Sequence, residues 1–171
     1  MRASLNSFKL AIAMLPTSPP NRKVISHEIP EWAARHSVYF ISISCKKRGS
    51  NFLAHDRTSS DLIQSWLYLQ TAGKCTPLFI MIMKNHLHLL SRFQDHEGKT
   101  MAAVISSWKR FTARTLAVEW QRNFFDHRIR NQNDFNQKWE YIQNNPVKAG
   151  YVKESSDWPH QWVHECPEYI A

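Results

Sequence analysis

Residues 77–93 read PLFIMIMKNHLHLLSRF, two apolar runs with a polar pair between them. The first run covers 77–83, Lys84 and Asn85 form the pair, and the second run begins at residue 86. Runs of this length and composition are typical of β-strands, and a polar pair between them is typical of a tight connection. The stretch therefore predicts two neighbouring strands of a sheet.

The segments on either side predict the rest of an α+β domain. We expect a strand at about 37–45, then a helix with Leu62, Ile63, Trp66 and Leu67 at helical spacing and with Ser59 or Ser60 as N-cap. After the central strands we expect a helix with Met101, Val104, Ile105, Trp108 and Phe111 on one face, a strand or extended hairpin over 118–130, and a last helix stopped by Pro146. This order predicts helices packed on one face of an antiparallel sheet.

The length of 171 residues fits one domain. Residues 1–35 are proline-rich and without periodic pattern, so we predict an N-terminal arm there, a single domain over 36–165 and a short tail over 166–171. The apolar stretch FKLAIAMLP is too short to span a bilayer, and no membrane contact is expected.

The composition favours a polyanionic partner. There are 22 Lys and Arg against 14 Asp and Glu, a net charge of +8, and cations released from nucleic acid make such a charge favourable for binding. Solubility alone is the alternative. Only 4 glycines and no phosphate-binding loop motif argue against a nucleotide enzyme. Three widely spaced cysteines argue against a disulfide framework and favour a reducing compartment, so we expect a cytoplasmic protein.

His86 and His88 lie two positions apart on the predicted strand after the turn. Side chains alternate along a strand, so both imidazoles face one side while Leu87 and Leu89 face the core. At about 6.5–7 Å between their Cα atoms, two neutral imidazoles can bind one cation. A purely structural pair remains the alternative, unless a further ligand and a nucleophile reach the same face.

The last predicted helix offers such groups. Phe135, Trp139 and Ile142 form its apolar stripe, whereas Tyr141 lies well outside that stripe. Asn145 follows four residues later and flanks Tyr141 if the helix continues. The pattern favours a tyrosine that presents its hydroxyl, although an ordinary surface tyrosine is the alternative.

Five motifs in one order resemble the REP-associated tyrosine transposase family, a branch of the single-tyrosine HUH transposases. They are MKNHLHLL (83–90), SSWKRFTAR (106–114), WQRNFFDHRIR (120–130), KWEYIQNNPVKAGYV (138–152) and DWPHQW (157–162). The resemblance covers about residues 37–162. The chain departs from the family pattern at Lys84, where a proline or similar turn residue is usual.

The resemblance implies a ferredoxin-like HUH endonuclease fold and a particular chemistry. In that chemistry His86, His88 and Asn145 hold a divalent metal ion, Mg²⁺ or Mn²⁺. Tyr141 attacks a phosphate of single-stranded DNA next to a hairpin and forms a 5′-phosphotyrosine link. A phenol is protonated at neutral pH, so the attack needs help from a group that the motifs do not identify.

The basic segments supply candidate DNA contacts. Those for phosphate are Lys109, Arg110, Arg114, Arg122, Arg128 and Arg130, and those for base stacking are Phe124, Phe125 and Trp108. Arginines that only solvate a face and aromatics that only pack the core are the alternatives. His127 is a candidate for a supporting or DNA contact, with a hydrogen-bonded structural role as its alternative.

Two other functions remain open at this point. A hairpin-DNA-binding protein that no longer cuts is one, although the intact His86, His88, Tyr141 and Asn145 argue against it. A ferredoxin-like RNA-binding module is the other, although no aromatic string of the usual kind occurs. The sequence is compatible with a monomer or a homodimer.

Overall fold

The computed structural model describes residues 37–47, 51–93 and 100–165. The predicted arm over 1–35 and the predicted tail over 166–171 lie outside these ranges. The apolar stretch FKLAIAMLP also falls there.

The described chain folds into one five-stranded antiparallel sheet with four helices. The elements are β1 (Val38–Ser44), α1 (Asp56–Thr71), β2 (Cys75–Ile82), β3 (His86–Phe93), α2 (Met101–Thr115), β4 (Phe125–Arg128), α3 (Gln132–Gln143), α4 (Asn145–Lys148), a 3₁₀ turn (Ser155–Asp157) and β5 (Gln161–Val163). The strand order is β4-β1-β3-β2-β5. The βαββαβ sequence of the first six elements is the ferredoxin-like arrangement, and the predicted α+β class is confirmed.

Both faces of the sheet are covered. The two long helices pack on one face, where Ile41, Leu87 and Leu89 are fully buried against residues such as Trp66 of α1 and Ile105 of α2. This is the single helical layer that the sequence predicts. The shorter α3 adds a partial second layer, because β1 to β3 are apolar on their other face as well.

On that second face Phe40, Phe79 and Leu90 pack against Phe135 and Ile142 of α3. Each fully buried side chain of this size contributes roughly 1.5–3 kcal/mol. The packing therefore fixes α3, which carries Tyr141, on the histidine side of the sheet.

The predicted start of α1 is wrong. The N-cap is His55 rather than Ser59 or Ser60. The Ser59 hydroxyl lies inside the helix, where it donates to the His55 carbonyl at 2.9 Å and contacts Nδ1 of His160 at 2.8 Å. Ser59 therefore hydrogen-bonds with the distant His160 and does not cap the helix.

The predicted apolar face of α2 is correct except at its end. Phe111 is 49% exposed, and Thr112 is buried in its place. The Thr112 hydroxyl accepts a hydrogen bond from Nε1 of Trp120 at 2.9 Å and donates to the Trp108 carbonyl at 2.9 Å. A buried indole that needs an acceptor explains the exchange.

Pro146 does not stop the last helix in the predicted way. α3 ends at Gln143, and Pro146 lies in the first turn of α4, which begins at Asn145. Proline fits a first helical turn because its missing N–H has no partner there. The chain therefore continues almost as one helix through Tyr141 and Asn145.

Candidate active site

The turn between β2 and β3 is well anchored although it contains Lys84. The Lys84 carbonyl accepts from the amides of residues 52–53 at 2.9 and 3.0 Å, and the Asn85 carbonyl accepts from the Cys45 amide at 2.8 Å. The Lys84 ammonium lies 3.9 Å from the ring centroid of Tyr151. These contacts hold the turn without a proline, and β3 therefore starts in a defined position.

His86 and His88 begin β3 and face α3. Their ring centroids are 4.8 Å apart, and His88 is only 3% exposed. Nδ1 of His86 donates to Oδ1 of Asn85 at 2.8 Å. Since Nδ1 then carries the proton, Nε2 of His86 keeps its lone pair for a ligand.

Both imidazoles are neutral at neutral pH. Burial lowers the pKa of His88 to about 3, with the nearby His86 as a second cause. Burial also lowers the pKa of His86. Neutral imidazole is the form that binds a metal ion, so burial keeps both side chains in the protonation state that a metal site requires.

Acid is expected to destabilise the metal-free protein through His88. An unfolded histidine takes up a proton near pH 6.5, whereas His88 in the fold resists protonation down to about pH 3. The unfolded state then binds more protons, so stability is complete above pH 6.5 and falls as the pH is lowered. We expect a loss of about 1 kcal/mol per pH unit between about pH 6 and pH 4.

Denaturant unfolding in EDTA at several pH values measures this slope. His88→Leu is the matched variant, since leucine fills the buried site without titrating. The free energy of unfolding of wild type minus that of the variant should decrease as the pH is lowered from about 6 to 4. A difference that stays constant contradicts the assignment.

α3 and α4 bring Tyr141 and Asn145 to the histidines. Nδ2 of Asn145 donates to Nε2 of His88 at 2.9 Å. The Tyr141 ring lies 5.4 Å from the His88 ring and 5.7 Å from the Phe40 ring, edge-on to both. Tyr141 is 43% exposed. The side chains of His86, His88, Tyr141 and Asn145 thus meet on one face of the sheet, which we call the tyrosine surface.

The donor set fits a divalent cation. No group of three or more His, Cys, Asp or Glu side chains able to hold a metal occurs within the described ranges, so two imidazoles need an amide as partner. The Asn145 amide is in contact with His88, and turning it by 180° presents Oδ1 instead of Nδ2. Nδ1 of His88 is buried without a hydrogen-bond partner among the described residues. Because Nε2 accepts from Asn145, Nδ1 carries the proton, so this buried N–H is an unsatisfied donor within the described part of the chain and leaves Nε2 as the nitrogen that could hold a cation.

Two lysines near Tyr141 were not predicted as site residues from the sequence. Nζ of Lys138 lies 5.6 Å from the Phe40 ring centroid, and Nζ of Lys148 lies 5.9 Å from the Tyr141 ring centroid. Lys138 and Lys148 precede and follow the tyrosine by three and seven residues, which is helical spacing. This spacing alone would have predicted that both lysines lie on the same side of the helix as Tyr141. They add positive charge to the tyrosine surface.

The six basic residues predicted to contact phosphate are not among the side chains that meet at the histidines. α2 packs on the opposite face of the sheet, and its Lys109 ammonium donates to the carbonyls of Gln121 at 2.7 Å and Arg122 at 2.9 Å. Burial lowers the pKa of Lys109. Arg110, Arg114, Arg122 and Arg130 are exposed, and Nε of Arg128 donates to the Ser37 hydroxyl at 3.2 Å. Lys109 therefore ties α2 to the segment before β4, and the exposed arginines remain predicted DNA contacts.

His127 has a partner that accounts for it. Its Nε2 contacts both carboxylate oxygens of Asp134 at 2.9 and 3.0 Å, and the Arg130 amide donates to the same carboxylate at 3.1 Å. Burial alone would raise the pKa of Asp134, but these hydrogen bonds outweigh it and the pKa is lowered. The geometry favours the structural alternative, in which His127 anchors the start of α3.

The three stacking candidates differ in access. Trp108 is 3% exposed and Phe124 packs against the core, whereas Phe125 is 49% exposed. Phe125 pairs with Ser42, which pairs with His88 on its other side. Residues in such a row share one face, so Phe125 lies about 10 Å from His88 on the tyrosine surface.

The fold and the site together define a class of protein. A ferredoxin-like sheet carries a His-Leu-His strand at its centre, and a helix places a tyrosine and an asparagine against it. This is the arrangement that the resemblance to single-tyrosine HUH transposases implies. No helix in the described part of the chain is long and apolar enough to cross a membrane.

Comparisons with known proteins agree with this class. No protein-family model matches the chain. A Haemophilus influenzae protein provisionally named a REP-associated tyrosine transposase is 29% identical over 147 residues, 74% of this chain and 80% of that protein. The REP-associated tyrosine transposase of Escherichia coli K12 is 34% identical over 85 residues, 49% of this chain and 52% of that protein. In that alignment the chain spans only about half of the relative's length.

A solved structure, described as a REP-associated tyrosine transposase bound to a REP hairpin, has the same fold. The TM-score is 0.66 at 22% identity, and the match covers 80% of this chain and 82% of that chain. The chain is thus similar in sequence to REP-associated tyrosine transposases and shares the fold of the solved one.

Proposed function

We propose that this protein is a metal-dependent endonuclease and strand transferase that acts on single-stranded DNA next to a hairpin. One observation carries the proposal, the meeting of Tyr141 with His86, His88 and Asn145. The Asn145 amide is 2.9 Å from His88, and the Tyr141 ring is 5.4 Å from the same imidazole. The name of the relatives and the hairpin held by the structural neighbour support a transposase-type reaction on such DNA.

Tyr141 is the nucleophile in this proposal. Its oxygen bonds to the phosphorus of the scissile phosphate, and the bond from phosphorus to the 3′ oxygen breaks. The phenol proton is lost and the 3′ oxygen leaves as a hydroxyl, so a 5′-phosphotyrosine link remains. The reverse attack by a 3′-hydroxyl rejoins DNA without another energy source.

The remaining side chains position the reactants. Mg²⁺ or Mn²⁺, held by His86, His88 and Asn145, would supply neutralisation of the phosphate charge. The Phe40 ring holds Tyr141 edge-on and restricts its orientation. The ammonium of Lys148 attracts the phosphate towards the Tyr141 hydroxyl.

An adduct assay tests the proposal. Labelled single strands with a hairpin are incubated with the protein in Mn²⁺, Mg²⁺ or EDTA and then separated under denaturing conditions. A denaturant-stable protein–DNA band in metal, absent in EDTA, is the expected result. Hairpin binding without an adduct in either metal would instead support the binding protein that does not cut.

Phe125 is expected to stack a base of the single strand. Base–aromatic stacking is worth about 1–3 kcal/mol, so Phe125→Leu should weaken binding of an unstructured strand roughly 5- to 150-fold. Phe125→Tyr should retain the affinity because it keeps an aromatic face. The side chain is 49% exposed, and neither change should unfold the protein.

Fluorescence of 2-aminopurine placed along the strand measures the stacking directly. Phe111→Leu is the matched control, since Phe111 has the same 49% exposure but lies on α2, on the other face of the sheet. Equal losses for Phe125→Leu and Phe111→Leu, or unchanged quenching in Phe125→Leu, contradict the prediction.

A further inference from the structure

The side chain of Lys84 joins the turn before β3 to the segment that follows α4. Its ammonium lies 3.9 Å from the centroid of the Tyr151 ring. That ring stacks on the ring of Trp158 at 5.4 Å, with 27° between the two planes, and Trp158 is only 7% exposed. A cation this close to the centre of an aromatic ring is attracted by the negative face of the ring. The ammonium of Lys84 therefore rests on a ring that is itself packed against a buried side chain.

Tyr151 is fixed to the helix that carries Asn145. The Tyr151 amide donates to the Pro146 carbonyl at 2.9 Å, and the Gly150 amide donates to the Val147 carbonyl at 2.9 Å. These two hydrogen bonds form a Schellman motif, and Gly150 has the positive φ, 70°, that such a helix end requires. Pro146 directly follows Asn145 in the sequence. The position of the Tyr151 ring is therefore set relative to Asn145.

Lys84 is fixed to His86 on the other side of the contact. It precedes His86 by two residues, and the Met83 amide donates to the His86 carbonyl at 2.8 Å across the turn. A shift of the turn at Lys84 therefore shifts the start of β3 and with it the His86 ring. The contact of Lys84 with Tyr151 thus spans the strand that carries His86 and the helix that carries Asn145.

We infer that Lys84 is a positioning residue for the proposed metal site, and that its ammonium keeps His86 and Asn145 at the separation that one cation requires. The inference rests on the proposed function, since it concerns the same metal ligands. Ligand distances in a metal site are correct only to within about 0.2 Å. A contact that fixes the spacing of the two ligand-bearing elements therefore affects the affinity for the ion.

Charge and position predict opposite effects when the ammonium is removed. Lys84 repels a divalent cation, so Lys84→Met would tighten the binding of Mn²⁺ if only the charge mattered. If Lys84 positions the ligands, the same change weakens the binding. The energy of an exposed cation–π contact corresponds to a factor of roughly 2 to 5, and we expect the Kd for Mn²⁺ to rise by about that factor.

Calorimetric titration of the full chain with Mn²⁺ alone measures this effect. Lys84→Arg keeps a cation over the ring, and Tyr151→Phe keeps the ring, so both should bind Mn²⁺ as wild type does. Lys153→Met is the matched control, because Lys153 is an exposed lysine two residues after Tyr151 and its loss changes the net charge equally. This control should not raise the Kd. Circular dichroism and melting check that each variant folds.

Amide hydrogen exchange without metal measures the order of the turn independently. The amides of Phe52 and Leu53 donate to the Lys84 carbonyl, and the Cys45 amide donates to the Asn85 carbonyl. These three amides should exchange roughly 2- to 5-fold faster in Lys84→Met and at the wild-type rate in Lys153→Met.

Binding of Mn²⁺ that is unchanged or tighter in Lys84→Met overturns the inference, whatever the exchange rates are. A loss of affinity that is equally large in Lys84→Arg or in Lys153→Met overturns it as well. If wild type binds no Mn²⁺, the proposed metal-dependent reaction fails. Faster exchange confined to Lys84→Met then still supports Lys84 as the residue that positions the turn, whereas equal exchange overturns that role too.

Discussion

Tyr141→Phe is expected to abolish the covalent protein–DNA adduct and to lower strand cleavage by roughly 10³-fold or more. The phenylalanine ring keeps the edge-on contacts with Phe40 and His88, so only the hydroxyl is lost. The side chain is 43% exposed, and the free energy of unfolding should change by no more than about 0.5 kcal/mol. Denaturing gels with labelled hairpin DNA measure the adduct, and a gel-shift assay should show unchanged DNA binding.

Tyr151→Phe is the matched control. Tyr151 is 38% exposed, stacks on Trp158 and lies under the Lys84 ammonium, and its ring makes these contacts without the hydroxyl. This variant should form the adduct as wild type does. An adduct that persists in Tyr141→Phe shows that another residue is the nucleophile, and the proposed reaction then fails at its first step.

The central strands could be predicted because their pattern is local. Alternation along β3 places Leu87 and Leu89 on one face and His86 and His88 on the other, and the structure has this arrangement. The same alternation does not show what covers the second face. That the apolar stripe of α3 packs there depends on a long-range contact with Phe79 and Leu90, which no local period contains.

Helix ends and single exchanges were not predictable for the same reason. Thr112 replaces Phe111 in the core because Trp120, on the segment after α2, needs an acceptor, and the Ser59 hydroxyl contacts His160 instead of capping α1. Both exchanges depend on partners outside the helix that carries the side chain. Helical spacing alone does place Lys138 and Lys148 beside Tyr141, so these two lysines could have been predicted from the sequence.

The meeting of the site residues needed two kinds of information. Spacing on one helix places Tyr141 near Asn145, and alternation on one strand places His86 near His88. Neither indicates that the helix crosses this strand. The register of β3 between β1 and β2 and the packing of Ile142 against the sheet supply that link.

His88→Leu is expected to remove metal binding and with it the cleavage, again by roughly 10³-fold or more. Leucine fills the buried position and removes the orphaned Nδ1, so the metal-free protein should be at least as stable as wild type at neutral pH. For wild type, Mn²⁺ at about 100 times its Kd should stabilise the fold by about 2.7 kcal/mol. This stabilisation should be absent in the variant.

Thermal unfolding with and without Mn²⁺, together with titration calorimetry, measures metal binding independently of cleavage. His55→Gln is the control, because His55 is an exposed imidazole at the start of α1, outside the site. It should keep both the metal-dependent stabilisation and the adduct. If His88→Leu binds Mn²⁺ as wild type does, the metal lies elsewhere. If it loses Mn²⁺ but still cleaves in EDTA, Tyr141 attacks without a metal, and the neutral, buried histidine pair serves only to position the tyrosine.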